Sequence, residues 1–124
     1  MSTTRSVIET YCSSLDARDW ATFGSVLAED VRYELPQTGE SVRGREAYVR
    51  FNREYPGDWH IRPARVVVEG AQAVVWNNFE LDGEKQHGIG FFTVDGSGRV
   101  AHIVDFWPQP YDPPAGREHL VSGA

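Results

Sequence analysis

Residues 60–107 read HIRPARVVVEGAQAVVWNNFELDGEKQHGIGFFTVDGSGRVAHIVDFW, and this stretch decides the fold. It is rich in β-branched and aromatic residues and is punctuated by Glu69-Gly70, Asp82-Gly83 and Asp95-Gly96-Ser97-Gly98, the signature of hairpin turns. Gly70, Gly83 and Gly96 recur every thirteen residues, so the strands between them run to about ten residues, longer than the usual five or six. Long strands in a small sheet must twist and curl. The stretch therefore predicts a curved, four-strand antiparallel meander.

Before the meander the apolar period changes from two to that of a helix. Val7, Ile8, Tyr11, Cys12 and Leu15 line one stripe of a helix from about Thr4 to Arg18. Asp19 is placed to cap a second helix, in which Trp20, Phe23 and Leu27 recur, ending near Asp30. Val31, Tyr33 and Leu35 alternate with polar residues as a short strand that Pro36 interrupts. A third helix is expected from about Arg45 to Tyr55, with Tyr48, Phe51 and Tyr55 on one face and Pro56-Gly57 as its stop. After the meander, Pro108 to Ala124 carries four prolines and is expected to wrap the surface or fray. The sum is an α+β domain spanning residues 1–124, with a cone-shaped curved sheet and three N-terminal helices on its concave face. Such a cone, lined by alternate strand residues and plugged by the first helix, suits a small apolar molecule.

Composition narrows the function. The chain has 124 residues, 40% hydrophobic and 24% charged, the profile of an ordinary globular domain. Its net charge of -6 repels phosphate backbones and anionic membranes, so neither nucleic acid nor a membrane is expected as a partner. Arg43, Arg45, Arg50 and Arg53 are interleaved with Glu46 and Glu54 and read as a solvated helix face. The single cysteine, Cys12, cannot form an internal disulfide, and no apolar leader or spanning segment is visible, which fits a reducing cytoplasm. His60, His87 and His102 stand singly on separate strands without metal-ligand spacing, and no phosphate-binding loop or nucleophile elbow occurs. Neither a metal nor any other cofactor is therefore expected.

Strand alternation places Asp105 on one face with Ile103 and Trp107, opposite His102, Val104 and Phe106. If that face is the interior, desolvation raises the carboxyl pKa towards the range useful for proton transfer; on the outer face the acid would pair with an arginine or join a dimer contact. Tyr11 is a candidate hydroxyl donor to a substrate oxygen, or a packed core tyrosine. Tyr33, Leu35, Phe79, Phe92 and Trp107 are expected to line the cavity, and Asn77 either to orient a ligand through its amide or to serve a strand contact. His60, next to Trp59 at a strand mouth, is a second proton-carrier candidate because histidine as a residue type titrates near neutrality. Gly88 and Gly90 alternate on one face, leaving room for a ligand or marking a tight bend. Trp76 and Asn78, with His102, Val104 and Phe106, would make the convex face adhesive enough for a homodimer.

The order helix, helix, strand, a helix opening at Gly44-Arg45-Glu46, and a meander ending in His102-Ile103-Val104-Asp105-Phe106-Trp107 resembles the nuclear transport factor 2-like superfamily, across roughly Val7 to Trp107. Within it the chain looks most like the SnoaL-like, polyketide cyclase-like branch. The resemblance implies homodimerisation and a general acid/base role for Asp105, similar to the last-strand acid of SnoaL-like cyclases. Tyr11 is similar to the first-helix tyrosine of ketosteroid isomerases, but the base of those enzymes would fall at Leu35 and their protonated aspartic acid at Gly90, so both carboxylates are absent. Asp105 and Tyr33 resemble two members of the water-activating set of limonene epoxide hydrolases, whose remaining members have no counterpart in His87-Gly88-Ile89-Gly90 or at Leu35. The function expected is a cofactor-free isomerase- or cyclase-type enzyme acting on a small apolar or aromatic carbonyl compound. The alternative is a non-catalytic small-molecule-binding or dimerisation domain of the same fold.

Overall fold

The computed structural model describes residues 3–123; Met1, Ser2 and Ala124, the ends of the expected 1–124 unit, lie outside the described residues. Helix α1 (Thr4–Ala17) starts where the Thr3 hydroxyl accepts the Ser6 N–H, and it stops where Arg18 turns left-handed (φ 60°) and donates its N–H to Leu15 and Ser14. Its buried stripe contains the expected Val7, Ile8, Tyr11, Cys12 and Leu15. Helix α2 (Trp20–Ser25) is capped by Asp19 as expected, but it is shorter than the sequence suggests. Leu27 opens strand β1 (Leu27–Leu35) instead, pairing in parallel with Val100. Its apolar side chain fits either period, and a pairing partner more than seventy residues away wins over local helix propensity.

An exposed edge strand β2 (Glu40–Arg43) follows a tight turn, and α3 (Arg45–Arg53) ends two residues before the expected Tyr55. The meander consists of β3 (Trp59–Glu69), β4 (Gln72–Leu81), β5 (Glu84–Val94) and β6 (Val100–Phe106), with turns at the three glycine sites read from the sequence. Among the described residues six strands run in the order β2-β1-β6-β5-β4-β3, with β1 beside β6 as the one parallel pairing. Helix α1 packs over β3 and β4, and α3 packs over β1, so both cover one face of the curved, unclosed sheet. Between them and the sheet lies a core of Ile8, Phe23, Leu27, Val31, Tyr48, Val75, Val100 and Ile103, all essentially inaccessible to solvent.

The other face is only partly covered. Val67, Val74, Phe91 and Val104 stand opposite one another in one row across β3 to β6, and Trp76, Ile89 and Phe106 form the next. Val67, Trp76 and Phe91 are about half exposed, at 50%, 46% and 47%. Beside these rows, His102 sits within 2.6 Å of Glu34 Oε2 and 3.3 Å of Arg32, a mixed-sign cluster on β1 and β6. The tail after Trp107 forms no helix or strand among the described residues and leaves Tyr111, Leu120 and Val121 exposed.

Candidate functional site

A cavity of about 570 Å³ opens between the covered sheet face, α1 and α3. Its walls are Leu15 from α1; Tyr33 and Leu35 from β1; Gln37, Thr38 and Glu40 around the β1–β2 turn; Phe51, Asn52 and Tyr55 from α3 and its end; Trp59, Ile61, Phe79 and Gln86 from the meander; and Asp105 from β6 with Trp107 and Gln109 just after it. Alternation explains the choice. Trp59 and Ile61 face inward, which turns His60 outward.

Asp105 is the acid on this wall. In strand register it stands opposite Gly90, which in turn stands opposite Val75. A Cβ built on Gly90 would lie 2.6 Å from Asp105 Oδ1, so the carboxyl rests directly over the glycine backbone. Oδ2 accepts a 2.7 Å hydrogen bond from the Tyr33 hydroxyl. Burial pushes the carboxyl up to about 6 from its ordinary 3.8, and the Tyr33 bond, which favours the ionised form, pulls part of the way back. Burial also raises the Tyr33 phenol, which keeps it a proton donor at neutral pH.

Gly88 repeats the arrangement one step along. A Cβ there would come within 2.5 Å of the Trp107 ring, so the indole lies flat over the glycine and meets Phe79 edge-on with ring centroids 5.1 Å apart. The Gln37 side chain holds Trp107 in place: its Nε2 donates to the Trp107 carbonyl at 3.2 Å, and its Oε1 accepts the Trp107 N–H. The room expected at Gly88 and Gly90 is thus filled by the protein's own indole and carboxyl, not left for a ligand.

Four expected site residues lie outside this cavity lining. The Tyr11 hydroxyl bonds the Tyr48 hydroxyl at 2.5 Å in the buried core and does not reach the cavity wall. The helical stripe that made Tyr11 conspicuous also buries it. Phe92 is 3% exposed and packs edge-on against the Tyr11 ring, behind the site. Asn77 is buried beside Gly88 in the register, outside the cavity lining, with its Oδ1 unpartnered. His60 is exposed, with Nε2 3.3 Å from Asp58 and Nδ1 3.9 Å from Asp16, away from Asp105. Tyr33, Leu35, Phe79, Trp107 and Asp105 do share the cavity.

Sequence reading missed Phe51, Tyr55, Trp59, Gln37 and Gln86. The first two were visible as one face of α3, and the remainder become wall residues only through strand register and the β1–β2 turn. Trp59 is fixed from behind by Arg18, whose guanidinium lies 3.4 Å from the ring centroid and donates to the Trp59 carbonyl. Among the described residues no group of three or more His, Cys, Asp or Glu is arranged to hold a metal ion, and no helix is long and apolar enough to cross a membrane.

The raised Asp105 pKa has a consequence for stability. The folded protein holds this proton more tightly than the unfolded chain, so ionisation costs nothing well below pH 3.8, costs progressively more up to about 6, and a constant amount above that. At about 1.4 kcal/mol per pKa unit, the plateau is at most about 3 kcal/mol. Asp105→Asn, which keeps an acceptor for Tyr33, is therefore expected to be more stable than wild type in urea denaturation at about pH 8, with the gain shrinking as the pH falls towards 4. A difference independent of pH would contradict this.

The family described as SnoaL-like domain matches residues 8–107. A solved structure of a candidate ketosteroid isomerase from Kribbella flavida DSM 17836 is 47% identical, with a TM-score of 0.94, covering 98% of this chain and 89% of that one. A candidate SnoaL-like polyketide cyclase from Shewanella denitrificans OS-217 superposes at 16% identity and a TM-score of 0.73, over 85% of this chain and 90% of that one. An M. tuberculosis LEH-like epoxide hydrolase does so at 20% and 0.71, over 85% and 82%. At those identities the last two speak for the fold alone. No curated protein matches.

Proposed function

The chain belongs to the SnoaL-like domain family, and from that premise we propose that it is an isomerase- or cyclase-type enzyme in which Asp105 transfers a proton on a small apolar or aromatic carbonyl compound. The observation that carries the reading is a partly buried carboxyl, hydrogen-bonded by Tyr33 and raised to about 6, on the wall of an aromatic cavity. A base with that value is mostly ionised at neutral pH yet is a stronger proton acceptor than an ordinary aspartate.

In the reaction proposed, the Asp105 carboxylate removes a proton from the carbon next to the substrate carbonyl, and the bonding pair left behind delocalises into an enolate. The same proton is returned at a different carbon of the conjugated enolate in an isomerisation, or the enolate carbon bonds to a second carbonyl carbon in a ring closure, whose π pair moves to its oxygen and takes the proton back from Asp105. Tyr33 fixes the carboxyl orientation and remains protonated throughout. Gln86 and Tyr55, on the same wall, supply donors for the carbonyl oxygen as negative charge develops there. No step calls for a cofactor. The 47% identity to a protein described as a candidate ketosteroid isomerase supports carbonyl chemistry, although Leu35 stands where the isomerase base is expected.

Exchange of substrate protons into deuterated water, followed by NMR over a panel of cyclic and aromatic ketones, tests this without knowing the product. Asp105→Asn is expected to slow exchange by about 10²- to 10⁴-fold with the fold intact. Equal exchange by the variant would remove Asp105 from the chemistry, and ketone binding without exchange by wild type would favour the binding-domain alternative.

We also propose that the two apolar rows on the outer sheet face pair two copies of the chain. The half-exposed Val67, Trp76 and Phe91, bordered by charges of both signs, support a second copy as the occupant. Sedimentation of the full chain is expected to give a dimer that Trp76→Glu converts to monomer; a wild-type monomer at high concentration would contradict it.

A further inference from the structure

The charge and ring content of the same cavity point to a more specific ligand. Six aromatic side chains form its walls: Tyr33, Phe51, Tyr55, Trp59, Phe79 and Trp107. Two acidic side chains, Asp105 inside and Glu40 at the β2 edge, belong to the same lining, whereas no lysine, arginine or histidine does. Asp105 also forms no ion pair with any described residue. Asp105 is partly withdrawn from water, where a carboxylate gains from a matching cation, and here the protein provides only a neutral phenol.

Each class of ligand fares differently against these walls. An anionic ligand would face two acids with no counter-charge. A neutral ligand would bury its carbon surface but leave Asp105 unpaired. A protonated or quaternary amine would neutralise Asp105 and place its positive charge against the negative faces of the rings, the arrangement by which aromatic cages hold alkylammonium groups. Arg18 already occupies one face of Trp59, so the other rings carry most of this attraction.

We propose that the cavity is selective for a cationic amine, so that the carbonyl substrate carries an alkylammonium group. This rests on the reading of the cavity as the substrate site, but not on proton transfer by Asp105.

The titratable groups around Asp105 define the pH behaviour. Tyr11 and Cys12 face it from α1, Tyr48 from α3 and Tyr33 from β1, and burial raises all four, Cys12 to about 12. They stay neutral between about pH 5 and 8, so Asp105 is the member of this group that changes charge in that interval. Cation preference should therefore grow as the pH rises through about 6.

Choline and 3,3-dimethylbutan-1-ol share one shape and differ in the charge of the quaternary centre. Titrating each into the full-length protein, with the indole N–H signals of Trp59 and Trp107 followed by NMR, compares them at the site. The proposal expects choline to bind roughly tenfold more tightly at about pH 8, with the advantage falling several-fold at about pH 5. Asp105→Asn, if folded, should lose the preference at both pH values; the wild-type pH comparison decides the matter even if that variant fails to fold. Equal binding of the two probes, tighter binding of the alcohol, or no binding of either at about pH 8 overturns the proposal. Proton exchange into ketones is measured separately, so a lost cation preference with Asp105-dependent exchange retained would remove the amine and leave the enzyme reading in place.

Discussion

A carboxyl group seated on a glycine governs the rest of this site. Asp105 occupies the space above the Gly90 backbone that any other residue would fill with its own Cβ, and Tyr33 closes it from the neighbouring strand. Partly withdrawn from water and without a basic partner, the carboxyl keeps its proton to a higher pH than an exposed aspartate. Trp107 over Gly88 repeats the packing two residues along each strand, so β5 presents a smooth backbone shelf on which β6 lays first an acid and then an indole. The cavity is what remains between that shelf and the helices.

Much of this was legible in the sequence, for identifiable reasons. The glycine-bearing turns at Gly70, Gly83 and Gly96 are local signals of the meander, and strand alternation puts Asp105, Ile103 and Trp107 on one face. The helical stripe of α1 was equally plain. Contacts between distant segments were not legible. The parallel pairing of β1 with β6 extends β1 back to Leu27, and nothing near Leu27 announces it. The same limit explains Tyr11: periodicity shows that it faces inward but not that Tyr48 from α3 meets its hydroxyl before the cavity does. Gly88 and Gly90 are read from the sequence as room for a ligand or a tight bend, and alternation alone cannot tell an empty shelf from one occupied by Trp107 and Asp105.

Fold and chemistry are linked here by the curvature of the sheet. Long strands bring the end of β6 and the start of β3 to one mouth, where Gln37 from the β1–β2 turn binds both the N–H and the carbonyl of Trp107. That grip makes an exposed turn part of the cavity wall. The tyrosines behind the wall, Tyr11 and Tyr48, pair with each other and so satisfy their hydroxyls without drawing water into the core. The acid on the inner wall, held by Tyr33, is Asp105, which is why both the proposed chemistry and the proposed ligand preference converge on it.

The most direct measurement is therefore the titration of that one carboxyl, followed through the side-chain carboxyl carbon of Asp105 by NMR in the full-length protein. The account predicts a midpoint near 6. A midpoint at the ordinary aspartate value of 3.8 would mean that water reaches the group freely, and would contradict it.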